Sequence, residues 1–577
     1  MRKITIIVVL IAVMIISGYV FLRSKLGTQG FHPANTAQAS QPKPPESPLD
    51  LRPQIIARLQ QLVKEGSGGL YNLFIREVEP DVLQSKLELR HVELVPDTSV
   101  IKSMIHMKTV PENIFRISFD SLHIDGIGIK DFLNKNDVDI KKIYLTMPSI
   151  DVYFQKRSWH QKHDKTVPLY QRLHKYMKHL GIESVIIQHG TLVDHQLDKK
   201  TKSRFNDLNV RLSKILVDSA TQYEKDRFLF AKKADLSAKN IDIELADHLY
   251  NMKIGSVNVS SVGKIIKVSN VALVPKYSKP EFEKIAPGSK ERYEFLFRTM
   301  KFKNMDWWAI TNGEKFIADE MEIDDGNVNV YLDVSYPPGP IHPHNFPHQL
   351  LLRMKVPVDV RTMNMNNIKV TYDEHHPEIN ETGHLSFTFL HGQVSNITNL
   401  PERIRRNQWA MVHATAKLIN KVPVKAAIRF NLKDPKNGSF SADISADSSD
   451  ATVFNYLTQP FGLFRIKRGM LHSVTTHIEG DNYKGHSKVS LLYNDLHITP
   501  LKKGDIPKTG YRKKTVTSFL GNIIFIKNDN PSGNKEPRQG TADYTRDLHT
   551  SFFNLIWKST LVGMLQIMGI PEKFAGK

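Results

Sequence analysis

The chain has 577 residues, of which 40% are hydrophobic and 24% charged, and its formal net charge is +20. It has no cysteine, which excludes disulfide frameworks, thiol nucleophiles and metal sites with cysteine ligands. Glycine and proline are close to average usage, so the bulk of the chain is expected to fold. At roughly 150 residues per domain, this length allows three or four domains or one elongated repeat structure.

The first 25 residues are predicted to form a single transmembrane anchor. Ile4 to Leu22 is an uncharged run close to the ~20 residues with which a helix crosses a bilayer core. Bulky residues at 21–23 replace the small residues of a signal-peptide cleavage site. We expect the N-terminus inside, the bulk of the chain translocated, and 26–50 as a flexible linker. The anchor residues are Ile4, Ile6, Val9, Ile11, Met14, Ile16, Tyr19 and Phe21.

The body of the chain shows the two-residue alternation of half-buried β-strands. Turn signals such as Asp325-Gly326 and Asn437-Gly438 separate the runs, and the pattern favours antiparallel pairing. The alternating stretches are 115–119, 143–147, 150–154, 208–212, 241–245, 328–334, 350–360, 424–432 and 440–446.

At four places a strand-like run leads into a glycine and another apolar alternating stretch follows, at Gly190, Gly326, Gly392 and Gly469. This pattern indicates either a loose internal repeat or the ordinary use of glycine at bulges and tight turns. The spacing is too irregular for a propeller or a hexapeptide helix.

Three helices are predicted, at Leu51–Glu65, Leu169–Leu180 and roughly Thr545–Met568. The last has an unusually wide apolar face, with Asn554, Lys558 and Gln566 assigned to its polar side. That face is explained either by burial against the β body or by a helix that closes an apolar groove or touches a membrane.

The sequence contains no recognisable catalytic motif. A P-loop, a GxGxxG turn opening a helix and a GxSxG elbow are all missing. Histidines at 342, 344, 348, 375 and 376 lack metal-site spacing and are interpreted as residues of solvated loops. The aspartates at 324, 325, 443, 447 and 450 are likewise interpreted as solvated. No enzyme activity, metal or cofactor is therefore predicted.

Basic residues concentrate in two stretches, 155–180 and 501–514. For a translocated protein, anionic lipid headgroups are a better match to these charges than nucleic acid, and simple solubility is the alternative. The candidate headgroup contacts are Lys156, Arg157, Arg172, Lys175 and Lys178.

Several stretches resemble the AsmA-like family, a relative of TamB and the bridge-like lipid-transfer proteins. The resemblance lies in the anchor followed by a large β-rich body, in Phe115–Ile124 with Asp139–Tyr153, in Phe461–Thr499, and in the helix that begins near Phe552. It implies a Gram-negative inner-membrane protein whose bulk lies in the periplasm. It further implies an elongated, curved antiparallel sheet, a taco-like groove that shelters acyl chains. The candidate groove residues are Leu350, Leu352, Met354, Val356, Val424, Ile428, Phe430, Phe440 and Ile444.

The sequence thus predicts a mainly β protein with a few short helices and a C-terminal amphipathic helix. We expect it to bind or conduct phospholipid for envelope and outer-membrane biogenesis, with envelope protein partners unknown. The alternatives are a non-catalytic β-sandwich scaffold and a hydrolase with a pocket hidden from sequence. The expected organisation is an anchor (1–25), a linker (26–50), an N-terminal helix and β region (51–180), a central β region (181–400), a C-terminal β region (401–514), and a loop with the last helix (515–577).

Overall fold

The computed structural model describes residues 52–570 except 82, 127–136, 160–178, 229, 287, 289, 314, 338–340, 342, 377–380, 463 and 501–526. The predicted anchor and linker lie outside the described residues. None of the helices within the described ranges is long and apolar enough to cross a membrane.

The described residues form a mainly β fold, as predicted, with 21 strands in one hydrogen-bonded sheet. The strands are β1 (Tyr71–Asp81), β2 (Lys86–Pro96), β3 (Asn113–Asp125), β4 (Asp137–Thr146), β5 (Ser149–Phe154), β6 (His179–Gln196), β7 (Thr201–Val217), β8 (Ala231–Glu244), β9 (Tyr250–Ser260), β10 (Ile265–Pro275), β11 (Arg292–Lys303), β12 (Phe316–Asp333), β13 (Val358–His376), β14 (Glu381–Thr398), β15 (Trp409–Leu418), β16 (Val422–Asn431), β17 (Phe440–Ala446), β18 (Ser449–Asp450), β19 (Phe464–Gly480), β20 (Lys484–Pro500) and β21 (Gln539–Thr545).

The helices are short except for the first and the last. They are α1 (Arg52–Gly66), α2 (Thr98–His106), α3 (Lys279–Ile285), α4 (Trp307–Gly313), α5 (Pro347–Leu352), α6 (Pro401–Arg406), α7 (Asn455–Gly462) and α8 (Phe552–Met568). The prediction of α1 is confirmed to within one residue at each end. The predicted end of α8 is also confirmed, but the helix begins at Phe552 instead of near Thr545.

Most neighbouring strands pair antiparallel, as predicted, but three pairings are parallel. β12 and β13 are parallel, and β6 runs parallel to both β4 and β5. Parallel neighbours require a crossover, and α5 lies in the crossover from β12 to β13. Alternation reports which face of a strand is buried and favours antiparallel neighbours without requiring them.

The chain divides into two compact units, with the boundary inside β10. Unit 1 contains the described residues up to Ser269 together with Asn304–Glu314, and unit 2 contains Asn270–Lys303 and the described residues from Lys315 onward. The division falls inside the region predicted as 181–400.

The core of unit 1 is one apolar face of its strands, covered at one end by α1. Cross-strand pairing aligns Val78, Leu89, Leu122, Leu145, Ile187, Val210, Leu236 and Val259 in one row from β1 to β9. α1 packs Leu59 and Val63 on the same cluster. Exposure is 3% at Val78 and 8% at Val210, and Val259 at the end of the row is partly exposed.

The core of unit 2 lies between α8 and strands β19–β21. Ile478, Val489 and Leu491 are at most 1% exposed beneath the helix, whose own Leu555 is fully buried. Close approach depends on small residues, since a Cβ added at Gly540 would lie 2.2 Å from the carbonyl oxygen of Gly563. The helix ends at Gly569, which has the left-handed φ of 80° expected at this position.

The recurring glycines mark irregularities in the strand ladders. The register shifts next to Gly190, Gly392 and Gly469, and His189 adopts a φ of 54° just before Gly190. Of the two interpretations of this pattern, bulges are therefore the one that the structure supports.

Two local predictions were wrong. The alternation at 350–360 predicted a strand, but Leu350 and Leu352 lie on α5 and the strand begins at Val358. Pro347 stands in the first turn of α5, and the backbone N–H of Phe346 donates to Gln349 Oε1, so local capping decides for a helix. The helix predicted over 169–180 does not include its last two residues, because His179 and Leu180 belong to β6. Its other residues lie outside the described ranges.

Candidate apolar binding surface

Two parallel rows of apolar residues cross the sheet of unit 2 from β11 to β19. The pairing registers align Phe302, Met321, Met363, Val394, Val412, Ile428, Ala442 and Ile478 in the first row. The second row contains Met300, Ile323, Met365, Gly392, Ala414, Ala426, Ile444 and Thr476. Since these residues lie two apart along each strand, both rows belong to the same face.

Burial differs between the two ends of these rows. Ala442 and Ile478 are fully buried at the β17–β19 end. At the β11–β14 end most side chains remain partly exposed. The helices that pack most closely on the sheet of unit 2 do so against β14 and β19–β21.

The end that remains partly exposed among the described residues is rich in methionine. We call it the methionine strip and define it as Met300, Phe302, Met321, Ile323, Met363, Met365, Gly392 and Val394. Methionine is unbranched and polarizable, so it adapts its shape to varied apolar partners better than leucine or isoleucine does. The strip could therefore accommodate flexible chains without one fixed complementary shape.

Small residues lie within and beside the strip. Gly392, Ala414 and Ala426 are consecutive partners across β14, β15 and β16. The Cε of Met365 lies 2.8 Å from the place that a Cβ on Gly392 would take, so this methionine reaches over the glycine. Its flexible end takes the space that a larger side chain at Gly392 would need.

α8 makes aromatic contacts at the β16–β17 end of the rows and, outside the rows, with other residues of β13 and β14. The ring of Phe552 lies 4.9 Å from Phe440 and 5.2 Å from Phe430, centroid to centroid. Phe553 contacts Tyr372 at 6.0 Å and Phe387 at 5.8 Å. α8 therefore contacts β16 and β17 through one phenylalanine and β13 and β14 through the next.

The polar side predicted for α8 was wrong. Every residue of α8 is buried or partly buried, and Asn554 is only 7% exposed. Burial lowers the pKa of Lys558, an effect that the nearby carboxylate of Glu374 opposes. The helix is thus enclosed on all sides, which explains why its apolar face is wider than a stripe.

A buried polar cluster accompanies the start of α8. The hydroxyl of Tyr372 donates to Glu374 Oε2 at 2.8 Å, and burial, followed by the charge of Glu374, raises the pKa of Tyr372 well above its usual value. Burial also raises the pKa of Glu291, which accepts a hydrogen bond from Tyr293. These residues are far apart in sequence, so only the strand order could reveal the cluster.

Arg546 and His348 complete the covered end. Arg546 is 4% exposed, lies 4.7 Å over the ring of Phe346 and donates to Asn345 Oδ1 at 2.6 Å. His348 is 3% exposed and stacks 4.8 Å from Phe430, and burial lowers its pKa to about 4. The interpretation of His348 as part of a solvated loop was therefore wrong.

The predicted groove residues fall into three groups. Leu350 and Met354 are exposed, at 51% and 49%, while Leu352 packs on the covered core and Val356 is partly buried in the turn before β13. Phe430 and Phe440 are 5% and 4% exposed beneath Phe552, so they belong to a closed core. Val424, Ile428 and Ile444 are partly buried and lie on the same face as the strip.

Of the predicted headgroup contacts, only two lie within the described residues. Lys156 is exposed. Arg157 stands 5.9 Å from the ring of Trp159, and burial lowers its pKa. Arg172, Lys175 and Lys178 lie outside the described ranges.

The opposite face of β14–β21 is polar and holds an open depression of about 750 Å³. Lys425, Lys488 and His413 line it, and His477 Nδ1 lies 2.6 Å from Asp443 Oδ1.

The predicted aspartates of β12 have hydrogen-bond partners on β13. Asp324 and Asp325 accept from Asn366 and Asn367, at 2.8 Å and 2.6 Å. Within the described part of the chain, no group of three or more histidine or acidic side chains is arranged to hold a metal ion.

No family model matches the chain, and no curated protein matches it significantly. Its function must be inferred from the residues and their arrangement.

Proposed function

We propose that this chain is a non-enzymatic protein that binds phospholipid acyl chains on the apolar face of unit 2, along the methionine strip. The observation that carries the proposal is that two apolar rows run continuously from a region covered by α8 to a region whose side chains remain partly exposed. An apolar face of this extent is stabilised when something covers it.

The dimensions of the partly exposed end match an acyl chain. From β11 to β14 the rows cross three strand spacings of ~4.8 Å, or about 14 Å. An acyl chain spans about half of a ~30 Å bilayer core, so one tail fits along a row. Covering a few hundred Å² at ~25 cal/mol per Å² would contribute on the order of 5–10 kcal/mol.

In this proposal the sheet forms a half-open, curved groove, and the two rows hold the two tails of one phospholipid. The groove works behind an inner-membrane anchor, with the bulk of the chain in the periplasm, in the transfer of lipid for envelope biogenesis. The resemblance to AsmA-like proteins supports the groove, the anchor and the role in lipid transfer, and these three points remain predictions.

Lipid that copurifies with the full-length chain tests the proposal. We expect phospholipid to remain bound after extensive exchange into lipid-free detergent, and the variant Met363→Glu/Met365→Glu to lose it, because charges on the strip repel acyl chains. The matched control is His413→Glu/Thr415→Glu on the opposite face, which should retain the lipid. Equal lipid content in all three proteins would contradict the proposal.

A further inference from the structure

The second surface of interest surrounds the exposed residues of α5 and α6. It consists of Leu350, Arg353, Met354, Arg405 and Arg406, all of which are exposed. We call it the α5–α6 patch. It shares no residue with the methionine strip.

Hydrogen bonds join the two halves of the patch. The side chain of Asn399, two residues before α6, donates from Nδ2 to the carbonyls of Met354 at 3.2 Å and Val356 at 2.8 Å. Its Oδ1 accepts from the N–H of Val358 at 2.7 Å. The turn after α5 is thereby fixed beside the start of α6.

Both short helices are anchored from below. In α5, Gln349 is 2% exposed and donates to the carbonyl of Pro435 at 2.8 Å. In α6, Ile404 packs on the covered core of unit 2. Leu350 and Met354 are therefore held outward at about half exposure, in a fixed position rather than on a loose loop.

The charges of the patch are uniformly positive. Three exposed arginines, Arg353, Arg405 and Arg406, accompany the two exposed apolar side chains. Two acids of the same region have their own basic partners: Asp359 pairs with Arg403 at 3.1 Å, and Glu402 with Lys315 at 3.4 Å. Exposed apolar side chains accompanied by arginines match the interface of an anionic bilayer.

We propose that the α5–α6 patch docks on an anionic lipid bilayer, with Leu350 and Met354 inserted at the boundary between headgroups and acyl chains and the three arginines against the lipid phosphates. This surface would bring unit 2 to a membrane independently of any lipid bound to the strip. An acidic protein would be attracted by the same charges. It would not, however, provide a hydrocarbon phase in which the side chains of Leu350 and Met354 could be buried.

The absence of cysteine from the chain allows a direct test on the full-length protein. The variant Met354→Cys carries an environment-sensitive fluorophore, and the protein is held in zwitterionic nanodiscs. Val262→Cys, at a position that is also apolar and exposed (66%), is the matched control. Vesicles of chain-brominated phosphatidylcholine with or without phosphatidylglycerol are added, and in a second arm the brominated lipids form the nanodisc itself.

We expect quenching at position 354 with phosphatidylglycerol in at least one arm, and little quenching at 262. The background variant Arg405→Gln/Arg406→Gln should weaken the apparent lipid affinity on the order of 30-fold, because two charges near an anionic surface are lost. Higher salt should weaken it as well. Absence of quenching at 354 in both arms, or equal quenching at 354 and 262, would overturn the proposal.

Discussion

Two regions of the same apolar face in unit 2 differ in what covers them. Beneath α8, Ile478, Val489 and Leu491 are almost completely buried. On β12 and β13, farther along the same rows, Met321, Met363 and most of their neighbours are partly exposed. The comparison shows that an alternating strand specifies an apolar face and leaves the choice of its cover to the rest of the molecule.

The side chains of the two regions differ in kind as well. The covered region is built from Ile, Val, Leu and Phe, whose restricted rotamers suit one fixed partner. The methionine strip replaces them with four flexible thioethers. We interpret the first region as a core and the second as a binding surface, and the predictions below test that difference.

The largest expected effect is on the covered region. Leu555→Ala removes a fully buried side chain from α8 and should cost about 4 kcal/mol of unfolding free energy. Met363→Ala, on the strip, should cost about 1 kcal/mol, since its side chain is already partly exposed. Denaturant unfolding of both variants measures the contrast, and similar losses would remove the distinction between core and surface.

The covered region should also weaken in acid because of His348. Its pKa is about 4 in the fold, below the usual 6.5, so the unfolded chain takes up the proton first as the pH falls. The unfolding free energy is therefore highest above pH ~6.5, and it falls by about 3 kcal/mol as the pH drops towards ~4.

His348→Phe keeps a stacked ring against Phe430 and should flatten this part of the pH profile. Unfolding midpoints measured between pH 4 and 7 give the comparison. A wild-type profile that is equally flat over this range would show that burial does not keep His348 neutral.

The third contrast uses two glycines. Gly540→Ala should cost about 2 kcal/mol, because the new methyl meets the backbone of Gly563 and α8 must shift. Gly392→Ala on the strip should cost less than about 1 kcal/mol, because the end of the flexible Met365 can move aside. Thermal unfolding of the pair checks this; an equal or reversed order would mean that the strip is as tightly packed as the core.

Much of the fold could be predicted from the sequence. Period-2 alternation located β16 and β17 almost to the residue, and the capping and stop signals located α1. α5 was missed because Leu350, Leu352 and Met354 alternate like a strand, whereas Pro347 and the buried Gln349 fix a helix. Over six residues the two periods are too similar to separate.

The candidate site was less predictable. Met363 and Met365 alternate with Asn364 and Asn366, a signal that is visible in the sequence but carried by residues without strong β preference. Their alignment with Met300 and Met321 depends on the parallel pairing of β12 and β13, which alternation cannot indicate. The cover over Phe430 and Phe440 comes from α8, more than 100 residues later in the chain.

Site-specific photo-crosslinking in living cells tests the central claim most directly. The full-length chain would carry p-benzoylphenylalanine at Met363 or, as the control on the opposite face, at Thr415, and denatured protein would be analysed by mass spectrometry after irradiation. We predict phospholipid adducts at position 363 and few or none at 415. Adducts equally abundant at both positions, or absent from 363, would contradict the claim that the methionine strip binds lipid.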